Sequence, residues 1–260
     1  ELNALRKQAE SEKNVFQYDA STRGDLKNSL SMGEEEVETL IENETPYIIR
    51  FRTPDNAEDI TFNDEIRGEI TISSAVVDDK VLVKADGLPT YHLANVVDDY
   101  GMEISHVIRG EEWLPSLPKH ILLYESFNWP PPKFIHLPLL LNSDKSKLSK
   151  RQGDVDVESF TAKGYLKETI INFIALLGWH PDNDNEIFNI DYLIKNFSIK
   201  RIQKSGAIFD IKKLNWMNSV YIKKLSVEDL IDLFNSTSSI ASDFDFSNKI
   251  KLIKGFEFIK

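Results

Sequence analysis

The chain has 260 residues, 41% hydrophobic and 28% charged, the balance of a folded globular protein rather than a disordered one. Its formal net charge of −11 argues against nucleic-acid binding through bulk basicity, although a local basic patch can still bind. The absence of cysteine excludes a disulfide framework and thiolate metal sites, and the longest apolar runs, FIHLPLLL and IINFIALLGW, are far shorter than a membrane span.

The first segment, ELNALRKQAESEK, is a charged helix-like stretch with no apolar signal region and no initiator methionine, so the chain reads as an internal piece of something longer. Residues 1–13 and 31–43 are predicted helices. GEEEVETLIENE (33–44), with six glutamates and no base, is a solvated helix face. Between residues 46 and 86 the β-branched runs YIIRF, ITF, EITIS, AVV and VLVKA alternate with Pro-Asp, Asn-Asp and Asp-Asp turn signals, which predicts a small antiparallel sheet module.

From residue 86 the pattern changes. A helix is expected over 90–100, with Thr90 as N-cap and Gly101 ending it. ISHVIRG reads as a short buried strand, 115–127 as an amphipathic helix, and KFIHLPLLL as a second strand over about 134–141. Helix–strand–helix–strand at this spacing is half of a doubly wound parallel sheet, whose ligands sit at the carboxyl ends of the strands. Arg109 to Glu112 follow one such end and a lysine-rich loop follows the other. Beyond 155 the chain reads as all-α, through VESFTAKGY, LKETIINFIALLGW, IDYLIKNF, DIKKLNWMNSVYIKKL and SVEDLIDLF.

Tyr91 and Asn95, four apart, share one helix face, either as an ordinary half-buried pair or as a phenol and amide for a small polar ligand. Arg109 ends an apolar strand, where a charge needs a partner. That partner is either the adjacent Glu111 or Glu112, or a substrate carboxylate gripped by two parallel hydrogen bonds. The five histidines, 92, 106, 120, 136 and 180, have no metal-ligand spacing and read as structural. GxSxG, Walker A and GxGxxG sequences are absent. NSDKSKLSKRQGD (142–154) crowds Lys145, Lys147, Lys150 and Arg151 into one short segment, either a solvated loop or a mobile arm that closes on a polyphosphate. Such an arm is expected to be poorly ordered without nucleotide.

The run DGLPTYHLANVVDDYGMEISHVIRGEEWLPSLPKHILLYESFNWPPPKFIHLPLLLNSDKSKLSKRQGD closely resembles the second half of the class I catalytic domain of bacterial glutamyl-tRNA synthetases, with KLSKR (147–151) in place of the KMSKS-type signature. The resemblance continues through GYLKETIINFIALLGW and FDIKKLNWMNSVYI, and back through the sheet module. It implies an α/β fold: the second half of a Rossmann-type parallel sheet with an inserted small α+β module and a C-terminal all-α region. The implied segments are 1–85, an insertion embracing the tRNA acceptor end; 86–141, the half-sheet; 142–225, the signature loop and helical stem-contact region; and 226–260, the start of a helical anticodon-binding region.

The implied chemistry is that of an aminoacyl-tRNA-forming ligase. Glutamate's α-carboxylate attacks the α-phosphate of Mg2+-bound ATP, and the terminal adenosine of tRNA(Glu) then takes the glutamyl group. Carried over by position, Tyr91 and Arg109 bind glutamate, with Asn95 on the same face. Glu112 and Leu140 meet ATP, Leu140 through its backbone, while Lys150 meets the phosphates and Lys147 supports the loop. The complete enzyme is expected to be a cytoplasmic monomer without a membrane partner. Two features depart from the family. No HIGH-type signature is present, so the chain alone is expected to be inactive, and the zinc-binding cysteines of some members are missing, so no zinc is expected. Alternatives are a glutaminyl-tRNA synthetase, a glutamyl-queuosine synthetase-like paralogue, which the helical continuation argues against, and a non-catalytic RNA-binding module.

Overall fold

In the computed structural model, which describes residues 1–56, 58–148 and 156–237, the chain divides into two compact units, Glu1–His136 and Leu137–Lys260. The first unit opens with helices α1 (Leu2–Ser11) and α2 (Glu34–Glu42), close to the predicted spans; neither buries a residue, in keeping with their charge. Strands β1 (Ile49–Arg50), β2 (Asp59–Asp64), β3 (Gly68–Ser73) and β4 (Val81–Val83) follow. β2 and β3 form an antiparallel hairpin, and β1 pairs antiparallel with β4. Along β2 burial alternates, so Ile60, Phe62 and Asp64 all face inward, as a two-residue period requires.

Helix α3 (Tyr91–Gly101), strand β5 (His106–Gly110), helix α4 (Leu117–Ser126) and strand β6 (Lys133–Leu137) complete this unit. The sheet order is β3-β2-β6-β5, with β2 parallel to β6 and Asp64 opposite Phe134. The hairpin expected in a module ending at residue 85 is thus hydrogen-bonded into the same sheet as the strands that follow residue 86. Thr90 stands at the N-cap of α3, but its hydroxyl donates to Val81 O at 2.7 Å and so ties the helix start to β4. Gly101 is the last residue of the helix, as expected, and the left-handed residue past its end is Glu103, at φ 55°.

KFIHLPLLL, expected to be one strand, is broken. β6 stops at Leu137, and a separate strand β7 (Leu140–Leu141) pairs parallel with β8 (Ala207–Ile208) in the second unit. The cause lies in the sequence: Pro138 has no N–H to give a ladder and cannot sit inside a central strand. The described residues of the second unit also form the helices α5 (Val157–Ala162), α6 (Lys167–Gly178), α7 (Ile190–Asn196), α8 (Ile211–Ile222) and α9 (Val227–Thr237), as read from periodicity, and a 3-10 turn at Ile199–Arg201. Ile170, Phe173 and Leu177 of α6 pack with Leu214 and Met217 of α8. The Asn218 amide oxygen accepts from Leu166 N and Thr169 Oγ1, both at 3.0 Å, capping α6 from another helix. No helix among the described residues is long and apolar enough to cross a membrane.

The apolar core of the first unit joins Ile60, Phe62 and Phe134 of the sheet to Val96 of α3 and Leu117, Ile121 and Leu122 of α4. Fully buried polar side chains accompany it. Arg23 donates to both Asp79 oxygens, at 3.1 and 2.9 Å, and Asp79 also accepts from Thr53. Asp64, His120 and His136 have no exposed surface.

Burial pushes the His120 imidazole down to about 3, with the nearby Arg109 charge acting in the same direction. His92 and His136 are also lowered, burial being the larger cause in each. Unfolding returns His120 to its ordinary value of 6.5, so between that pH and about 3 the unfolded chain binds more protons than the folded one. Stability from neutral burial is therefore complete above pH 6.5 and lost on acidification, by up to about 1.4 kcal/mol per pH unit for one group. The thermal midpoint is expected to fall between pH 7 and pH 5, and to fall less in His120→Gln. Equal slopes in thermal melts of the two proteins would contradict this.

Candidate functional site

The site begins with the residue next to the end of β5. Arg109 Nε donates to His136 Nε2 at 3.1 Å, and its Nη1 and Nη2 lie 3.4 and 3.5 Å from His120 Nδ1. A guanidinium has donors only, so the His136 nitrogen that accepts from it carries a lone pair. The proton of His136 then sits on Nδ1, 2.7 Å from Asp64 Oδ2, while His120 Nε2 lies 3.0 Å from His92 Nδ1. Arg109 is thus held by neutral rings. Burial lowers its own pKa, and the Tyr91 hydroxyl works against that fall. No carboxylate among the described residues forms an ion pair with it. Glu111, one candidate partner, is engaged by Arg67 from the β2–β3 turn.

Tyr91, at the first position of α3, packs against Trp113 with the rings tilted by 41° and their centroids 4.8 Å apart, and the Arg109 guanidinium lies 5.9 Å from the Trp113 ring. Tyr91 and Trp113 remain 50% and 37% exposed, so this is an open face over a buried polar base. Asn95 lies one turn along α3. Its amide donates to Asp99 at 3.4 Å, while its Oδ1 is buried and has no hydrogen-bond donor among the described residues. Tyr124 has a buried hydroxyl in the same condition, and burial pushes its pKa up to about 12. Burial likewise raises Asp99.

Gly110 separates Arg109 from the 3-10 turn Glu111–Ser116 that leads into α4. The Glu112 carboxylate folds back onto Gly110 so closely that a Cβ there would overlap it. That glycine is needed for close approach, since its backbone angles are ordinary.

In the second unit, Leu140 lies on β7 and its carbonyl accepts Leu148 N–H at 2.8 Å. Residues 142–148 make a closed turn, and the rest of the loop expected to be poorly ordered lies outside the described residues. Asn142 N donates to Ser146 O at 2.8 Å, and Asp144 Oδ1 accepts from Ser146 N and Oγ. These bonds hold the Asp144 carboxyl below its usual range. Lys145 occupies the tip at φ 67°, and Lys147 returns opposite Leu141 as an exposed side chain. Lys150 and Arg151 lie outside the described residues. The described residues contain no group of three or more His, Cys, Asp or Glu placed to hold a metal ion.

Sequence reasoning named Arg109, Tyr91, Asn95 and Glu112 but missed Asp64, His92, His120 and His136 as parts of one site. The available signal was Asp64 on the inward period of a strand, DITFND, where an acid demands a partner. Which partner it finds depends on the pairing of β2 with β6.

Residues 1–216 match the family described as tRNA synthetases class I (E and Q), catalytic domain. Similar curated proteins include a glutamate–tRNA ligase of Chlorobaculum parvum, 52% identical over 204 residues, which is 78% of this chain and 40% of that protein. Another, from Alkaliphilus metalliredigens, is 48% identical over 232 residues, 89% of this chain and 45% of that protein. A solved glutamate tRNA ligase from Elizabethkingia meningosepticum, in complex with its amino acid, is similar at TM-score 0.90 and 41% identity, covering 97% of this chain and 53% of that one. The chain spans about half, or less, of the length of these relatives. The sheet that carries Arg109, the signature segment that follows it and the match over residues 1–216 agree: this chain belongs to the class I tRNA synthetases of the E and Q type.

Proposed function

We propose that this chain is part of a glutamate–tRNA ligase and supplies one side of its glutamate- and ATP-binding site. The observation that carries the reading is Arg109: a half-buried guanidinium held by neutral groups, with no ion pair to any carboxylate among the described residues and only Asp99 acting on it from a distance. A substrate carboxylate completes such a site, because a guanidinium binds it through two parallel hydrogen bonds. Tyr91 and Trp113 offer an aromatic wall for the substrate's methylenes, and Asn95 a buried acceptor on the same helix. On this reading glutamate's α-carboxylate attacks the α-phosphate of Mg2+-bound ATP, pyrophosphate leaves, and the terminal adenosine of tRNA(Glu) takes the glutamyl group.

Glu112 and Leu140 are assigned to ATP. The Leu140 carbonyl is already used by Leu148, so its backbone N–H is the group available to a nucleotide. Lys150 and Lys147 are assigned to the phosphates, where positive charge stabilises the negative charge that develops as pyrophosphate separates. Residues 1–85 are assigned to the acceptor end of the tRNA, 142–225 to its stem and 226–260 to the approach to its anticodon. The relatives named glutamate–tRNA ligases favour glutamate over glutamine as the amino acid.

Three variants of the complete ligase test the assignments in tRNA-dependent ATP–pyrophosphate exchange. Arg109→Gln is expected to raise the glutamate KM about a hundredfold, the loss of roughly 3 kcal/mol that follows truncation of a desolvated charge pair. An unchanged glutamate KM would end the reading. Lys150→Ala is expected to lower kcat about a hundredfold with little change in glutamate KM, because the lost interaction belongs to the transition state. Exchange within a few-fold of the parent would make the loop a bystander. Gly110→Ala is expected to keep stability within about 1 kcal/mol, since only a flexible carboxylate has to move, while the ATP KM rises several-fold. An unaltered ATP KM would remove Glu112 from the nucleotide site.

A further inference from the structure

We infer that Asp64 and His136 are positioning residues for Arg109 and, through it, set the affinity for the amino-acid carboxylate. The inference rests on the reading of Arg109 as the glutamate-binding cation. It starts from the Asp64 carboxylate, which has no exposed surface and accepts four N–H groups. Oδ1 takes Ile66 N at 3.0 Å and Arg67 N at 2.9 Å, and Oδ2 takes His136 N at 3.0 Å and His136 Nδ1 at 2.7 Å.

The His136 Nδ1–H bond decides the tautomer. A free imidazole places its proton on either nitrogen, and only the Nδ1–H form leaves Nε2 as an acceptor. With Nε2 fixed as a lone pair 3.1 Å from Arg109 Nε, the guanidinium is pinned by its inner edge. Its two Nη groups meet His120 only at 3.4 and 3.5 Å, beyond a good hydrogen bond, so they can be surrendered to a ligand. The consequence is a cation whose orientation is set before the substrate arrives. Pre-orientation of this kind lowers the ordering cost of binding. His136 has no exposed surface and its ring is spent on Asp64 and Arg109, so its effect should fall on one substrate selectively.

The test uses the complete ligase with His136→Leu, which removes the acceptor, and His136→Gln, whose side-chain oxygen can take the place of Nε2. His136→Leu should raise the glutamate KM about tenfold or more, the loss expected when a hydrogen bond to a charged group is removed. The ATP KM should stay within twofold, and His136→Gln should recover most of the glutamate affinity. In parallel, 15N spectra of the histidine-labelled parent should show His136 with its proton on Nδ1, a signature that needs no variant to fold. Equal damage from Leu and Gln, a matching rise in the ATP KM, or a proton on Nε2 would each overturn the inference while leaving Arg109 in place. A glutamate KM unmoved by Arg109→Gln would instead overturn the reading beneath it.

Discussion

One buried carboxylate ties the local turn to the long-range sheet. Asp64 lies on the inward period of β2, beside Ile60 and Phe62, where an unpartnered charge would cost several kcal/mol. Four N–H donors replace the water it loses. Two of them belong to its own turn and form an Asx-type reversal into β3, where Gly68 takes φ 82°. The other two come from a residue 72 positions away. Turn and strand pairing thus share one set of bonds, and a slip of β2 by one residue would turn Asp64 outward and bring Asn63 or Glu65 to the core face. The register that seats the hairpin on β6 is also the register that aims His136 at Arg109.

From that anchor the site is assembled by choosing neutral over charged neighbours. Had Glu111 or Glu112 paired with Arg109, the guanidinium would have been neutralised in place and a substrate carboxylate would have had to displace an internal one. Glu111 is engaged by Arg67 instead, and the immediate ring partners of Arg109 are His136 and His120, both kept neutral by burial. Neutral imidazoles satisfy donors without cancelling charge. At an effective dielectric of 20, a unit charge still offers an incoming carboxylate about 4 kcal/mol at 4 Å. The burial that lowers the Arg109 pKa is the same feature that leaves the cation with something to gain from a ligand.

The amino-acid sequence reveals those parts of the molecule whose causes are local. The helices described in the second unit follow from apolar periodicity, and β5 from a short apolar run that ends in Arg-Gly. The break of KFIHLPLLL at Pro138 was equally local, since the missing N–H is visible in the sequence; apolar continuity concealed it. The histidine cluster was of another kind. Its contacts join residues 11, 27, 28 and 72 positions apart, and no spacing rule reaches across a crossover helix and a parallel strand. The histidines read as structural because each alone has no chemistry to offer. Their role comes from a sheet order, β3-β2-β6-β5, that brings the hairpin into the same layer as Arg109.

The same distinction separates the cations of the lysine segment, which look equivalent in NSDKSKLSKRQGD. Lys145 stands at φ 67°, a left-handed position that non-glycine residues take only where a turn demands it, so its place is set by the reversal between Asn142 and Ser146. Asp144 and Ser146 close that reversal with their own side chains, which accounts for an acid and a hydroxyl lying among the bases. Lys147 has left the turn. It lies opposite Leu141, on a return arm whose Leu148 N–H is held by Leu140 O, so its position is fixed through the backbone while its side chain stays exposed. A lysine side chain is a flexible stem ending in a point charge, and it serves a phosphate best when the backbone beneath it does not have to be ordered as well. By that criterion Lys147 is equipped to present charge where Lys145 is equipped to make the turn, and the β7–β8 pairing anchors the arm that carries it.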